Sequence, residues 1–469
     1  MTTYRLLWRI LRNRLISSTF ILLSIGGVCH PNGALAAESY AIVGKNDWLF
    51  VKHEIVLEAL DQDVPKALSL IARFNRMLAR NQIALAFVVV PSKIETYAEQ
   101  LPDDFKVSAY MKGFNDTVLA ALRAEGVNVI DLKAPMRAAA LENAASPLFF
   151  RLDTHWTPSG AMAAAQAIRA GVIANPSLKK ALDAVPAQKY KLAWANKAQR
   201  QVKPRDITFL LPAGTPMYPA EEILRFKLSK DSEAPASLFG GSTSGTDLGL
   251  VGSSFSGPGS GFADTLRYTL QRDVMNFYVE GDAGPWAVMR AYLRDDAFQV
   301  RRPKLLIWEV PERVVGLRPS YAFRAERYKI DDNEWLLQVA ALVQGVCLPT
   351  NISAKLELGS LYQGQGQIAG KVTKESDFVD IGLDGPADNR SYLSARLTTN
   401  GSKQVGIEAM ETGGSMRKFS VDVAGDELDH IFKIPLGLSS RGVNRIRLYP
   451  GNTNSFALSE VKVCRYPED

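Results

Sequence analysis

The run "IALAFVVVP" (residues 83–91) is continuously apolar over a strand's length and stops at a proline. Such a run reads as a strand buried on both faces, unlike the alternating pattern of a half-exposed one. Behind it stand "YMKGFNDTVLAALRAEG" (110–126), whose apolar spacing predicts a helix closed by glycine, and "VNVIDL" (127–132), a second short strand. The alternation recurs. "SGAMAAAQAIRAGVI" (159–173) is an alanine-rich helix, while "TDLGLVGSSFS" (246–256) and "RPKLLIWEVPE" (302–312) are strands ending in polar or turn residues. From Tyr40 to about Val343 the chain therefore reads as an α/β layer fold on a mostly parallel sheet. Ligands of such sheets gather beyond the carboxyl ends of the strands.

Past Cys347 the period changes to short alternating runs, among them "SYLSARLTT" (391–399), "QVGIEAM" (404–410) and "NRIRLYPG" (444–451), punctuated by Gly, Asn, Asp and Ser. Strands at this spacing predict a β-sandwich. The expected organisation is a leader at 1–36, an α/β domain at 37–345 and a β-sandwich at 346–469. Two packed domains suit a chain of 469 residues with 46% apolar and 22% charged content.

The first residues carry Arg5, Arg9, Arg12 and Arg14, then an apolar run from Leu15 to Val28, then Ala34-Leu35-Ala36. This reads as a secretory signal peptide cleaved after Ala36, because the run falls short of the roughly 20 residues that span a bilayer. Its loss would lower the formal charge from +6 to about +2, so there is no electrostatic case for nucleic acid. Cys29 lies in the leader, leaving Cys347 and Cys464. In an exported protein such a pair reads as a disulfide, worth roughly 4–5 kcal/mol in the chain-entropy model for so long a loop. Two thiols are too few for an ordinary zinc site, and no metal is expected.

Chemistry concentrates in "FFRLDTHWTPSGA" (149–161). Asp153 and His155 stand two apart, so in an extended segment both face one side, and a carboxylate beside an imidazole fixes the tautomer a general base needs. Thr157 fits a helix N-cap with Pro158 at the first helical position. His53 and His430 sit in patterns that read as surface helix or strand, which makes His155 the first choice for a base. A nucleophile is offered by "LGLVGSSFSGPGSG" (248–261), where a serine on a tight turn beyond a strand presents its hydroxyl and nearby N–H groups. Ser253, Ser254 and Ser256 are rivals on these residues alone.

With "DTHWTPSGA" and "LVGSSFS" in hand, the chain resembles the alginate O-acetyltransferase family, the SGNH-hydrolase-like proteins of AlgX and AlgJ type. Further matches are "GKNDWLF" (44–50), "VVVPSKIETY" (88–97), "VNVIDL" and "IWEVPER" (307–313). The resemblance implies a circularly permuted SGNH-hydrolase-like three-layer domain, with Asp153 orienting, His155 as base and Ser254 as nucleophile. It also implies an acetyl-serine intermediate, the exopolysaccharide alginate as acceptor, a membrane-bound acyltransferase as acetyl source and a polysaccharide export complex in the periplasm. No cofactor is implied. The C-terminal sandwich matches the carbohydrate-binding module of AlgX in position, so the layout is nearest to AlgX. All seven tryptophans lie at or before Trp335, so sugar contact there would fall to Tyr362, Tyr392, Tyr449, Arg396 or Lys403. Lys93 and Arg313 are the candidate cations for an anionic polymer near the serine. Rival readings are an acetylesterase, with water as acceptor, and a non-catalytic polysaccharide-binding or scaffold protein of the export complex.

Overall fold

The computed structural model describes residues 40–465 except 57, 144, 202–204, 232–245, 280–282, 322–325, 344–351, 358–360, 365–366, 373, 375, 388–390, 402–403, 437–441 and 452–454. The expected leader, the 345/346 boundary, Cys347 and Lys403 lie outside the described residues. Among those described, no helix is long and apolar enough to cross a membrane.

Five parallel strands form the central sheet: β1 (Ala84–Val90), β2 (Asn128–Asp131), β3 (Leu248–Gly252), β4 (Met275–Tyr278) and β5 (Leu305–Pro311). Their order is β4-β3-β5-β1-β2, so the last strand in sequence is inserted at the centre. Leu305 lies opposite both Ala84 and Leu248. The side-chain period of two divides β1 between two cores. Leu85, Phe87 and Val89 meet helices α1 (Val64–Arg80) and α2 (Ala109–Ala124), whereas Ala86, Val88 and Val90 meet α3 (Pro158–Ala174) and α4 (Phe262–Leu270). Helices α5 (Gly284–Arg294) and α6 (Asp332–Val343) complete the first face. Burial on both faces explains the unbroken apolar run that marks β1 in the sequence.

Strand β5 follows the same rule with one departure. Leu306, Trp308 and Val310 belong to the first core and Leu305 and Ile307 to the second, but the next position on that second face is Glu309. An acid therefore sits at the carboxyl edge of the central strand, only 1% exposed. Between α3 and β3 the chain makes an excursion that its sequence does not announce. Tyr190–Trp194 pairs with Phe226–Lys230 and Gln199–Gln201 with Glu221–Ile223, and the single 3-10 turn Asp206–Leu210 lies between the two arms.

The C-terminal region is a two-sheet antiparallel sandwich. Its strands are β6 (Ile352–Glu357), β7 (Leu361–Gly364), β8 (Gln367–Gly370), β9 (Phe378–Ala387), β10 (Ser391–Thr399), β11 (Gln404–Glu411), β12 (Met416–Asp422), β13 (His430–Pro435), β14 (Val443–Tyr449) and β15 (Phe456–Arg465). One sheet runs β6-β9-β14-β11-β12 and the other β7-β8-β15-β10-β13. Inward residues such as Leu393, Ala395, Leu397, Ile407, Ile446 and Leu448 share one core, as the alternating sequence predicts. Arg290 and Arg294 of α5 both reach Asp422 Oδ2, at 3.2 and 3.1 Å, and so join the α/β layers to the sandwich.

One expectation for the sandwich is corrected. Tyr392 is fully buried against Ala341 of α6 and Cys464, so its ring packs the two regions together and cannot meet a sugar. His430 opens a strand, as its pattern suggested, with its two ring nitrogens 3.1 Å from Asp296 Oδ2 and 2.8 Å from Asp426 Oδ1. Arg396 is on the surface, engaged with Asp429. Cys464 is buried.

Candidate active site

Asp153 and His155 do not meet by extended alternation. Phe149 and Trp156 pair across an antiparallel bridge and Phe150 N–H donates to His155 O, which folds residues 151–155 into a tight turn. The turn presents Asp153 inward, and its Oδ1 lies 2.6 Å from His155 Nδ1. Asp153 Oδ1 also accepts from His155 N–H at 3.0 Å, and Oδ2 accepts from Asp206 N–H at 2.7 Å. Immediately after, Thr157 caps α3 as expected, its Oγ1 accepting from Gly160 N–H with Pro158 in the first turn. A Cβ at Gly160 would lie 2.0 Å from Leu148 O, so only glycine lets the helix start this close to the turn.

The serine segment leaves β3 as a 3-10 turn, Ser254–Ser256. Ser254 Oγ lies 2.8 Å from His155 Nε2. The two rival serines face the other way. Ser253 Oγ donates to Glu309 Oε1 at 2.9 Å and Ser256 Oγ to Glu309 Oε2 at 2.9 Å, while Ser253 N–H donates to the same carboxylate at 2.8 Å. Glu309 thus sorts three hydroxyls into two anchors and one that remains available. Gly252 is required for that approach, since a Cβ there would stand 2.0 Å from Ser256 Oγ and 2.5 Å from Glu309 Oε2.

Trp156 couples the two halves. Its indole N–H lies 3.0 Å from both Phe255 O and Ser260 Oγ, and the Phe255 ring packs against Trp156 and His155 with centroids 5.0 and 5.2 Å away. The adjacency of acid, imidazole and indole therefore has a cause. Two of them make the relay and the third grips the serine turn.

The electrostatics follow from these contacts. Burial pushes the Asp153 carboxyl up, but hydrogen bonds from His155 and Asp206 and the imidazole charge outweigh it and hold it below its usual range. Burial pulls His155 down, and the bond to Asp153 with its charge overcomes this, leaving the imidazole above its ordinary value. Asp206 is raised by burial and then by the Asp153 charge. Glu309 is raised by burial against its Ser253 and Ser256 donors.

A cavity of about 460 Å³ opens over the serine. His53, Thr154, Asp206 and Arg313 give it polar lining, and Val279, Pro285, Val288 and Val314 are among its apolar lining residues. His53, read as an ordinary surface residue from sequence, is exposed but lines this cavity. Arg313 lines it too, 5.8 Å from the Phe255 centroid and 4.0 Å from Glu54. Lys93 does not. Its side chain is fully buried and its ammonium is spent on backbone carbonyls, which corrects its reading as a contact for the polymer. Sequence reasoning missed Asp206 and Glu309, and only the second carried a signal: one acid inside an apolar strand. Ligand atoms of Asp153, His155 and Asp206 come within 4.8 Å of one another. Both Asp153 oxygens already accept N–H donors and His155 Nδ1 faces Asp153, so this set suits a proton relay better than a cation.

A parallel sheet clad on both faces, with a serine turn beyond the carboxyl end of β3, is the layout of an SGNH-hydrolase-like α/β protein. Residues 41–312 match the family described as SGNH hydrolase-like domain, acetyltransferase AlgX, and the chain belongs to that family. It is 30% identical over 312 residues to the probable alginate O-acetylase AlgJ of Pseudomonas aeruginosa, which covers 64% of this chain and 75% of that protein. It is 23% identical over 399 residues to the alginate biosynthesis protein AlgX of Pseudomonas putida, 82% of this chain and 78% of that one. Among solved structures, the O-acetyltransferase domain of Pseudomonas putida AlgJ aligns with a TM-score of 0.52 and 27% identity, over 64% of this chain and 98% of that one. Pseudomonas aeruginosa AlgX shares the fold over 93% of this chain and 97% of its own, with a TM-score of 0.63 and 16% identity.

Proposed function

We propose that this protein is an extracytoplasmic O-acetyltransferase that moves acetyl groups onto hydroxyls of alginate or a similar anionic exopolysaccharide. The observation that carries the reading is the unbroken relay from Ser254 Oγ through His155 to Asp153, at 2.8 and 2.6 Å, in a chain of the AlgX family. His155 takes the Ser254 proton as Oγ attacks the donor's carbonyl carbon. The tetrahedral intermediate collapses, the donor's leaving group departs with that proton, and acetyl-serine remains. A sugar hydroxyl then gives its proton to His155 and attacks the acetyl carbon, and the returning proton regenerates Ser254. Asp153, held ionised, keeps Nδ1–H pointed at itself and steadies the imidazolium in both halves. Ser254 N–H is suited to receive charge on the carbonyl oxygen. Arg313 is the cavity cation suited to a uronate carboxylate.

The wider assignments are proposals of the same standing. They are a cleaved leader over residues 1–36, an acetyl supply from a membrane-bound acyltransferase, association with a polysaccharide export complex, a Cys347–Cys464 disulfide, and sugar binding by the sandwich at residues 346–469.

The test is intact-protein mass spectrometry after incubation with a small activated acetyl ester, with acetylation of added polymer measured alongside. Wild type is expected to gain the mass of one acetyl group and pass it to polymer, and Ser254→Ala to do neither. Donor turnover with acetate release and no acetylated polymer would leave an esterase. The base must be neutral to act, and Asp153 holds the imidazole above its ordinary value of about 6.5. Acetyl-serine formation is therefore expected to rise with pH through a midpoint above that value, as read by rates across a pH series.

A further inference from the structure

The turn that carries Asp153 and His155 lies outside the helices and strands. Three of its carbonyls accept backbone N–H groups, Arg151 O from Leu49 at 2.9 Å, Leu152 O from Ile207 at 3.3 Å and His155 O from Phe150 at 3.1 Å, and the other bonds go to side chains. Arg151 N–H and Leu152 N–H donate to the Glu221 carboxylate at 2.8 and 3.1 Å, and Thr154 N–H donates to Asp206 at 2.8 Å. One side chain serves two of its carbonyls. Lys93 Nζ donates to Arg151 O at 2.9 Å and to Asp153 O at 3.0 Å, and its third bond, 2.6 Å to Leu49 O, ties in the short strand Leu49–Val51, which pairs with Ala41–Val43.

We propose that Lys93 is a positioning residue for the Asp153–His155 pair: its buried ammonium fixes the backbone of their turn and thereby the line from Asp153 through His155 to Ser254. An ammonium has three N–H bonds and here meets three carbonyls, so its donor capacity is matched. Its Cα is held rigidly as well. Lys93 opens the short helix Lys93–Thr96 directly behind β1, capped by Ser92, whose own N–H donates to Glu312 at 2.9 Å. The Nζ also lies 5.3 Å from the ring centroids of Trp48 and Phe50, a site where a cation over aromatic faces is favoured.

A fully buried cation costs several kcal/mol in desolvation, so its retention calls for compensation. The charged groups that face it are Glu54, Glu221, Asp153 and Asp206, each on a separate segment. Burial lowers the Lys93 amine and these four acids oppose it, leaving it at about 8. Above that pH the neutral amine has two N–H bonds for three carbonyls, and the turn loses one of its ties. Lys93 thus sets an alkaline limit on the relay.

The inference rests on reading Ser254, His155 and Asp153 as the reacting groups, and its test separates the two. In the full-length mature protein, the downfield proton resonance of His155 Nδ1–H reports the Asp153 bond without any turnover. For wild type we expect that resonance, and the rate of acetyl-serine formation from the small ester, to fall together through about pH 8. Lys93→Met should lower the rate roughly ten- to a hundredfold with KM unchanged, weaken the resonance at neutral pH and abolish the alkaline fall. A folded Lys93→Met protein with wild-type rate and pH profile would overturn the proposal. Should that variant fail to fold, the wild-type titration decides, and a resonance unchanged well above pH 8 overturns it. If the resonance titrates as expected while no acetyl-serine ever forms, the enzymatic reading fails and the positioning role stands.

Discussion

In the α/β layers the carboxyl edge of the sheet buries Glu54, Lys93, Asp153, Glu309 and Glu312, whereas the sandwich buries only Asp380 and Glu408 among its described acids and bases. The partners differ as much as the numbers. Lys93, Asp153 and Glu309 are satisfied largely by backbone groups, neutral hydroxyls and one imidazole. Asp380 and Glu408 instead pair with Arg445 at 2.7 Å and Lys418 at 2.6 Å, whose side chains are 44% and 67% exposed. Ion pairs open to water contribute little, while a buried charge bonded to backbone fixes geometry at a cost in desolvation. The same residue types therefore fix shape near the serine and form water-screened ion pairs in the sandwich.

Substitutions can sharpen that contrast or break it. Glu309→Leu should have the largest effect. It strands Ser253 N–H and two hydroxyls, and is expected to cost about 2–4 kcal/mol in denaturant unfolding and to slow acetyl-serine formation sharply. Trp156→Phe keeps an aromatic ring but gives up the indole N–H between Phe255 O and Ser260 Oγ. A loss of about 1–2 kcal/mol and a smaller fall in rate are expected, measured by the same unfolding and ester assays. Glu408→Gln in the sandwich should cost under about 1 kcal/mol and leave acetyl-serine formation untouched. If Glu408→Gln proved as costly as Glu309→Leu, the distinction between the two regions would fall.

Much of this was legible in the sequence, and the reason is locality. The doubly buried runs at 83–91 and 302–312 announced the central strands, the alternating runs after 347 announced the sandwich, and Thr157-Pro158 announced the start of α3. Asp153 and His155 could be paired because they stand two positions apart. The family resemblance pointed to Ser254, but the physical reason it differs from Ser253 and Ser256 is Glu309, which arrives more than fifty residues later and from a neighbouring strand. Lys93 and Tyr392 were misjudged because long amphipathic side chains are buried or exposed by what packs over them, and no local pattern encodes that. Asp206 lies in an irregular excursion with neither helical nor strand period, so nothing marked it out.

The central place of β5 has a consequence in time. The chain is made from its N-terminus, and domains form as their elements become available. Turn, base and serine have all been synthesised by residue 256, yet the carboxylate that anchors Ser253 and Ser256 belongs to the strand that must still slide between β3 and β1. A nascent chain stopped between residues 256 and 309 carries every reacting atom but lacks the carboxylate that anchors Ser253 and Ser256. The order of the strands makes the nucleophile the last thing to be armed.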